Sequence, residues 1–189
     1  MNKKIVTVIG ILATVFGAVL SGCSSDQSRQ ELETLKSKLA AIEAAEKVEQ
    51  ENLANFDDLD FRVYSGQKWD DLDVSHSKDI VVHWPDGRTT KGIEIHIDDL
   101  KQTFVFAPDT HIKEHPIKIA SGEWTAVMGY LEGTFTEPMP VGKDEPVPPT
   151  GKAFKVPMVT IGHWKGGVMD EEWLMWDNQA FMKQIGLAE

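Results

Sequence analysis

The sequence predicts an α+β domain, with helices packed on one face of a curved antiparallel sheet. Three observations lead there. Residues 29–52 contain no Gly or Pro and are rich in Ala, Glu, Lys and Leu, a composition that favours helix. From residue 111 to residue 177 the chain is mostly β-branched and aromatic runs, broken at Ser121-Gly122-Glu123 and Lys165-Gly166-Gly167, the mark of strands joined by turns. Helices come first and strands follow as a run, the order of an α+β fold. No internal repeat is present.

The chain opens with Lys3 and Lys4, then an uncharged apolar run over 5–19 and Leu20-Ser21-Gly22-Cys23. That run is short for a membrane span and suits the apolar region of a secretory signal. The small residues before Cys23 resemble a bacterial lipoprotein lipobox. The resemblance implies a signal peptide of residues 1–22, cleavage before Cys23, and lipidation of Cys23. The protein would then sit in the cell envelope as a lipid-anchored protein. Ser24, rather than Asp, after the cysteine implies the periplasmic face of the outer membrane in a Gram-negative host. Cys23 is the only cysteine, so no intrachain disulfide can form.

Residues 24–28 are small and polar, a tether. Residues 23–52 therefore read as lipidated cysteine, tether and helical linker, with Leu32, Leu35, Leu39 and Ile42 in a heptad-like seam. The domain proper is 53–189. It begins with continued helix over 56–69, where Phe56, Leu59 and Val63 form an apolar stripe. Residues 79–84 (DIVVHW) make a strand stopped by Pro85-Asp86-Gly87. Residues 92–106 return to helix, with Ile93, Ile97, Leu100 and Phe104 on one side. Strands follow over 111–120, 124–135, 153–164 and 168–177. Between the second and third lies a loop, 137–151, that holds five of the nine prolines.

The formal charge is −11, and loss of Lys3 and Lys4 with the signal peptide takes it to −13. Such a surface repels nucleic acid and anionic lipid. No nucleic-acid partner is expected, and membrane attachment would depend on acyl chains at Cys23.

Several motifs occur together in this order: HWPDG at 83–87, APDT at 107–110, GTF at 133–135, PTGKAF at 149–154 and GGVMDEEWLMWDNQAFMKQIGL at 166–187. Together they resemble the SnoaL-like polyketide cyclases, or ester cyclases, of the nuclear transport factor two-like (cystatin-like) fold. The resemblance implies a cone-shaped sheet around a conical pocket and a hydrophobic small-molecule ligand. It also implies an Asp near the end of the last strand as general acid/base, with no metal and no cofactor. Asp177 is the matching position. Sheets of this fold commonly pair, so a homodimer is one arrangement to expect.

Strand alternation places Met169, Glu171, Trp173, Met175 and Asp177 on one face. Large apolar groups with two acids suggest a half-apolar pocket wall. Burial there would raise the Asp177 carboxyl toward working pH; alternatively, Asp177 caps the helix that follows. His83, at a strand end beside Trp84, is a proton shuttle or a structural histidine, and Glu171 is a second acid. Glu172 would point to the other side of the sheet. His115 would share an inward strand face. Trp173, Trp84, His115 and Met175 are the candidate ligand contacts. His96 and His111 show no H-x-H or HExxH spacing, so no metal site is expected. Two readings stay open. One is a cofactor-independent cyclase or isomerase using Asp177, His83 and Glu171. The other is a non-catalytic envelope protein, either a binder or a dimeric scaffold. Export sits poorly with polyketide cyclisation as such, because those substrates are made in the cytoplasm.

Overall fold

The computed structural model describes residues 25–189. The predicted signal peptide, residues 1–22, and the lipidation residue Cys23 lie outside the described residues. The first helix, α1, runs Ser25–Asp58, longer at both ends than the stretch its composition marks. The chain resolves into two units, and the second, Ala45–Glu189, contains every strand. In the described part of the first unit, Leu32, Leu35 and Ile42 of the heptad-like seam are exposed. No helix among the described residues is long and apolar enough to cross a membrane.

At Asp58 the α-helical ladder widens into a π-helical turn, Leu59–Tyr64, followed by a 3-10 helix, Trp69–Val74. A π-turn fits one more residue into the turn and re-aims the side chains after it. Here it buries Leu59, Asp60, Val63 and Tyr64 together. Next come β1 (His76–His83), β2 (Thr89–Lys91), α2 (Ile93–Phe106), β3 (Ile117–Ser121), β4 (Trp124–Thr134), β5 (Ala153–Lys165), β6 (Val168–Trp176) and α3 (Asn178–Gln184). The strands form one sheet in the order β2-β1-β6-β5-β4-β3. Its pairings are antiparallel except between β1 and β6, which run parallel. The first long strand thus lies beside the last, which sequence order alone does not reveal. Phe56, Leu59 and Val63 pack with Trp164, Met169 and Leu174 of the sheet in the main core.

Three local departures matter for the site. First, β1 begins at His76, three residues earlier than its apolar run suggests, because His76, Ser77 and Lys78 are polar and read as loop. Second, the strand expected over 111–120 starts only at Ile117. His111 makes one isolated bridge to Glu132, and Pro116, lacking an N–H, cannot join a ladder. His115 therefore belongs to an irregular segment and not to a strand face.

The third departure lies in β6. Trp164 opposes Met169, but His163 opposes Glu171, so Asp170 is an extra residue with no partner. This β-bulge reverses the alternation beyond it. Met169 is 0% exposed, Glu172 2% and Leu174 8%, whereas Met175 is 45% exposed. The inward acid of the last strand is Glu172. Gly162 faces Glu172 across the ladder. A Cβ at Gly162 would sit 2.5 Å from Met169 Sδ, 3.1 Å from Thr125 Oγ1 and 3.2 Å from Trp164 Nε1, so the bulge packs onto a bare backbone.

Candidate functional site

Between the helices and the concave face of the sheet lies a cavity of about 80 Å³. That is room for several waters, less than the ~300–1,000 Å³ of pockets that enclose drug-sized ligands. Phe56, Leu59, Leu100, Ile112, Leu131, Met158 and Leu174 make most of its wall apolar. The half-buried Trp84 and Trp176 also line it. Trp84 is held by its indole N–H donating to Thr90 Oγ1 at 2.9 Å, and Trp176 by a 2.7 Å bond to Asn178 Oδ1.

Two ionisable clusters break this apolar lining. The first comes from the π-turn. Asp60 lines the cavity and its Oδ2 lies 2.8 Å from His115 Nε2, while His115 Nδ1 lies 2.7 Å from Asp57 Oδ1. Lys118 Nζ donates to Asp57 Oδ2 at 2.5 Å. The chain Asp60–His115–Asp57–Lys118 thus leads from the buried cavity to an exposed strand. Burial pushes the Asp60 carboxyl above its ordinary value despite His115. Burial alone would lower His115, but its bonds to Asp60 and Asp57 outweigh that and hold the imidazole above its ordinary value. Burial opposes ionisation of Asp57 too, yet Lys118 and His115 keep its carboxyl low. Phe61 stacks on the His115 ring at 4.5 Å. Gly129, where a Cβ would lie 3.0 Å from His115 Cδ2, leaves the ring its space.

The second cluster joins three elements. Glu172 comes from β6, His76 from the start of β1 and His96 from α2. All three are 2% exposed and all line the cavity. Glu172 Oε1 lies 3.0 Å from His96 Nε2 and 3.7 Å from His76 Nε2. Burial works against the carboxylate, but the two imidazoles outweigh it and hold Glu172 below its ordinary range. Tyr64, also in the wall, is buried and its phenol is pushed up.

The predicted residues fall elsewhere for the most part. Asp177 is exposed and caps α3, accepting from the Ala180 N–H at 2.9 Å. It does not line the cavity, because β6 ends one residue earlier and Asp177 has turned out of the sheet. Glu171, Trp173 and Met175 lie on the opposite face of the sheet, where the bulge puts them. There Glu171 bonds His83 Nε2 at 2.7 Å. His83 stacks on Trp173 at 4.7 Å and 7°, and Trp124 lies 5.7 Å from Trp173. His83 and Glu171 do meet, but outside the cavity. Of the predicted contacts only Trp84 lines the cavity, and His115 reaches it through Asp60. Spacing along the chain does not reveal one grouping made across the fold. Ligand-capable atoms of His76, His96 and Glu172 lie within 4.8 Å of one another, brought together by three elements distant in sequence.

Sequence reasoning missed Asp60, His76 and Glu172 as site residues and passed over His96. Two signals were present. Asp60 follows Phe56 by four residues on the apolar stripe, and His96 follows Ile93 by three on the apolar side of α2.

A curved sheet closed by helices over a buried, partly ionised cavity is the architecture of an α+β cone. The family model for SnoaL-like polyketide cyclases matches residues 57–185, and the chain belongs to that family. Solved structures agree in fold. One similar structure is a candidate SnoaL-like polyketide cyclase from Jannaschia sp. CCS1, at 22% identity and TM-score 0.65, covering 75% of this chain and 96% of that one. Another is a SnoaL-like polyketide cyclase from Agrobacterium tumefaciens, at 19% identity and TM-score 0.55, covering 74% and 98%. A protein of ketosteroid isomerase-like fold from Catenulispora acidiphila, in complex with trimethylamine, aligns at 17% identity and TM-score 0.54 over 66% and 87%. No curated protein matches.

Proposed function

We propose that this chain is an envelope protein, lipid-anchored through Cys23, whose cavity takes a compact hydrophobic carbonyl compound and moves a proton on it. Asp60 is the general base and acid. The observation that carries this is a carboxyl buried in an apolar wall, raised by that burial, and bonded at 2.8 Å to an imidazole that connects to the surface. A base poised nearer working pH is the requirement for abstraction beside a carbonyl. Glu172, His76 and His96 form the polar end that orients the carbonyl oxygen. A polycyclic ligand would need Trp84 or Trp176 to rotate away from the cavity. Neither Asp177 nor the His83–Glu171 pair takes part.

The test is deuterium exchange at the α-carbons of cyclohexanone in D2O, followed by NMR. Wild type is expected to exceed the buffer rate. Asp60→Asn should lose about a hundredfold or more, the scale of general-base catalysis, and Asp177→Asn should match wild type. Loss in D177N with retention in D60N overturns the assignment. No exchange in wild type leaves the non-catalytic binder as the reading.

One observation favours a further partner, a second copy of the chain. Ile119 at 60%, Trp124 at 45% and Met175 at 45% exposure lie on the open strands, and the helices do not cover them. Sedimentation should show a dimer that Ile119→Glu with Trp124→Glu converts to monomer. A wild-type monomer at all concentrations refutes this pairing.

A further inference from the structure

The geometry points to a divalent transition-metal site formed by His76, His96 and Glu172, with zinc the ion that this donor set suits best. The inference rests on the reading of the cavity as the working site and adds an electrophile to it.

Ser75 Oγ lies 3.2 Å from the Leu72 carbonyl and 2.9 Å from His76 Nδ1. In the tautomer in which His76 Nδ1–H donates to Ser75 Oγ, Nε2 carries the free lone pair of a metal ligand and faces Glu172 Oε1 at 3.7 Å. Among the described residues His76 Nε2 has no hydrogen-bond partner, and the contact of Glu172 Oε1 within the cluster is His96 Nε2 at 3.0 Å. Buried polar atoms are rarely left unpartnered. A cation between Oε1 and the two Nε2 atoms satisfies His76 Nε2 and the carboxylate together.

The distances suit an ion. Bonds of about 2.0–2.1 Å from nitrogen or oxygen to zinc at tetrahedral angles place ligand atoms about 3.3 Å apart. The observed separations from Oε1, 3.0 Å to His96 and 3.7 Å to His76, bracket that value. Two imidazoles and one carboxylate, with a further position open, are the donors of catalytic zinc; non-haem iron(II) accepts the same three. Ser75 supplies the outer hydrogen bond that fixes the tautomer of a ligating histidine. The three ligand residues all line the cavity, so an open coordination position gives onto it and can polarise a carbonyl oxygen there. The aromatic Trp84 lies 5.7 Å from His96, and Asp60 and Asp99 are the other carboxylates of the cavity wall.

The experiment is titration of chelator-stripped, otherwise intact protein with cobalt(II) and then zinc(II), read without substrate. Wild type should take up one cobalt per chain with intense visible d–d bands, and zinc should bleach them. Glu172→Gln and His96→Ala should each weaken binding about a hundredfold or more, while His83→Ala, on the outer face of the sheet, should leave it unchanged. Absence of saturable cobalt bands in wild type overturns the inference, which keeps it refutable even where a core variant fails to fold. Binding that survives in folded E172Q and H96A also overturns it. A metal-loaded protein inert toward the ketone refutes only the proton-transfer reading.

Discussion

Gly162→Ala tests the device that aims Glu172 into the cavity. The added methyl would stand 2.5 Å from Met169 Sδ, 3.1 Å from Thr125 Oγ1 and 3.2 Å from Trp164 Nε1. Those neighbours are 0%, 2% and 1% exposed, so none can swing into solvent. Trp164 Nε1 also donates to Thr125 Oγ1 at 2.9 Å, and separating the two to admit the methyl weakens that bond. Overpacking of this kind costs about 1–3 kcal/mol. Replacing glycine restricts the unfolded chain and returns about 0.4–1 kcal/mol. The expected net loss is about 1–2 kcal/mol, which at the per-residue unfolding entropy of a domain this size lowers Tm by about 2–8 °C. Urea denaturation followed by tryptophan fluorescence, with a thermal melt by circular dichroism, measures both. Met169→Val shortens the side chain that clashes most, so the double variant should be less destabilised than the two single losses added together. A G162A protein as stable as wild type, or more so, would mean that Met169 does not press on this backbone. The bulge at Asp170 would then be misplaced.

A pH prediction follows from His115. Its folded-state pKa is raised above 6.5 by Asp60 and Asp57, so the stabilisation it contributes is fully present below pH 6.5 and is lost as pH rises through the folded value. His115→Gln should remove that decline from the pH dependence of unfolding free energy, and an unchanged profile would refute the pairing. The same titration leaves Asp177→Asn superimposable on wild type across this window, since its carboxyl only caps α3.

Much of the architecture was legible because it rests on local rules. Phe56, Leu59 and Val63 recur at helical spacing and do form the buried stripe. Gly166 and Gly167, with φ of +62° and +86°, make the two-residue turn that the Gly-Gly pair announces. The site was less legible, for physical reasons. Alternation along β6 is a sound rule until an extra residue intervenes. Asp170 carries no mark of the bulge, which shows only in the pairing of β5 with β6. That single residue moved the inward acid from Glu171 to Glu172 and sent Trp173 and Met175 to the far face. His76 was hidden by its polar neighbours Ser77 and Lys78, on a strand whose pairing partner, β6, lies far along the chain, His76 opposing Met169. Asp177 obeyed the capping preference of its residue type, which competes with any role in a pocket. Family membership brought the cone and its cavity, and the matched Asp177 caps α3 outside that cavity.

Location of the bound ligand decides the account most directly. The protein has six tryptophans, and their indole N–H signals can be assigned by substitution in a ¹⁵N-labelled sample. Titration with cyclohexanone should shift Trp84 and Trp176, which line the cavity, and leave Trp124 and Trp173 on the outer face where they were. Movement of Trp124 and Trp173 with Trp84 and Trp176 unmoved would contradict it, and would return the working surface to the side of the sheet that carries His83 and Glu171.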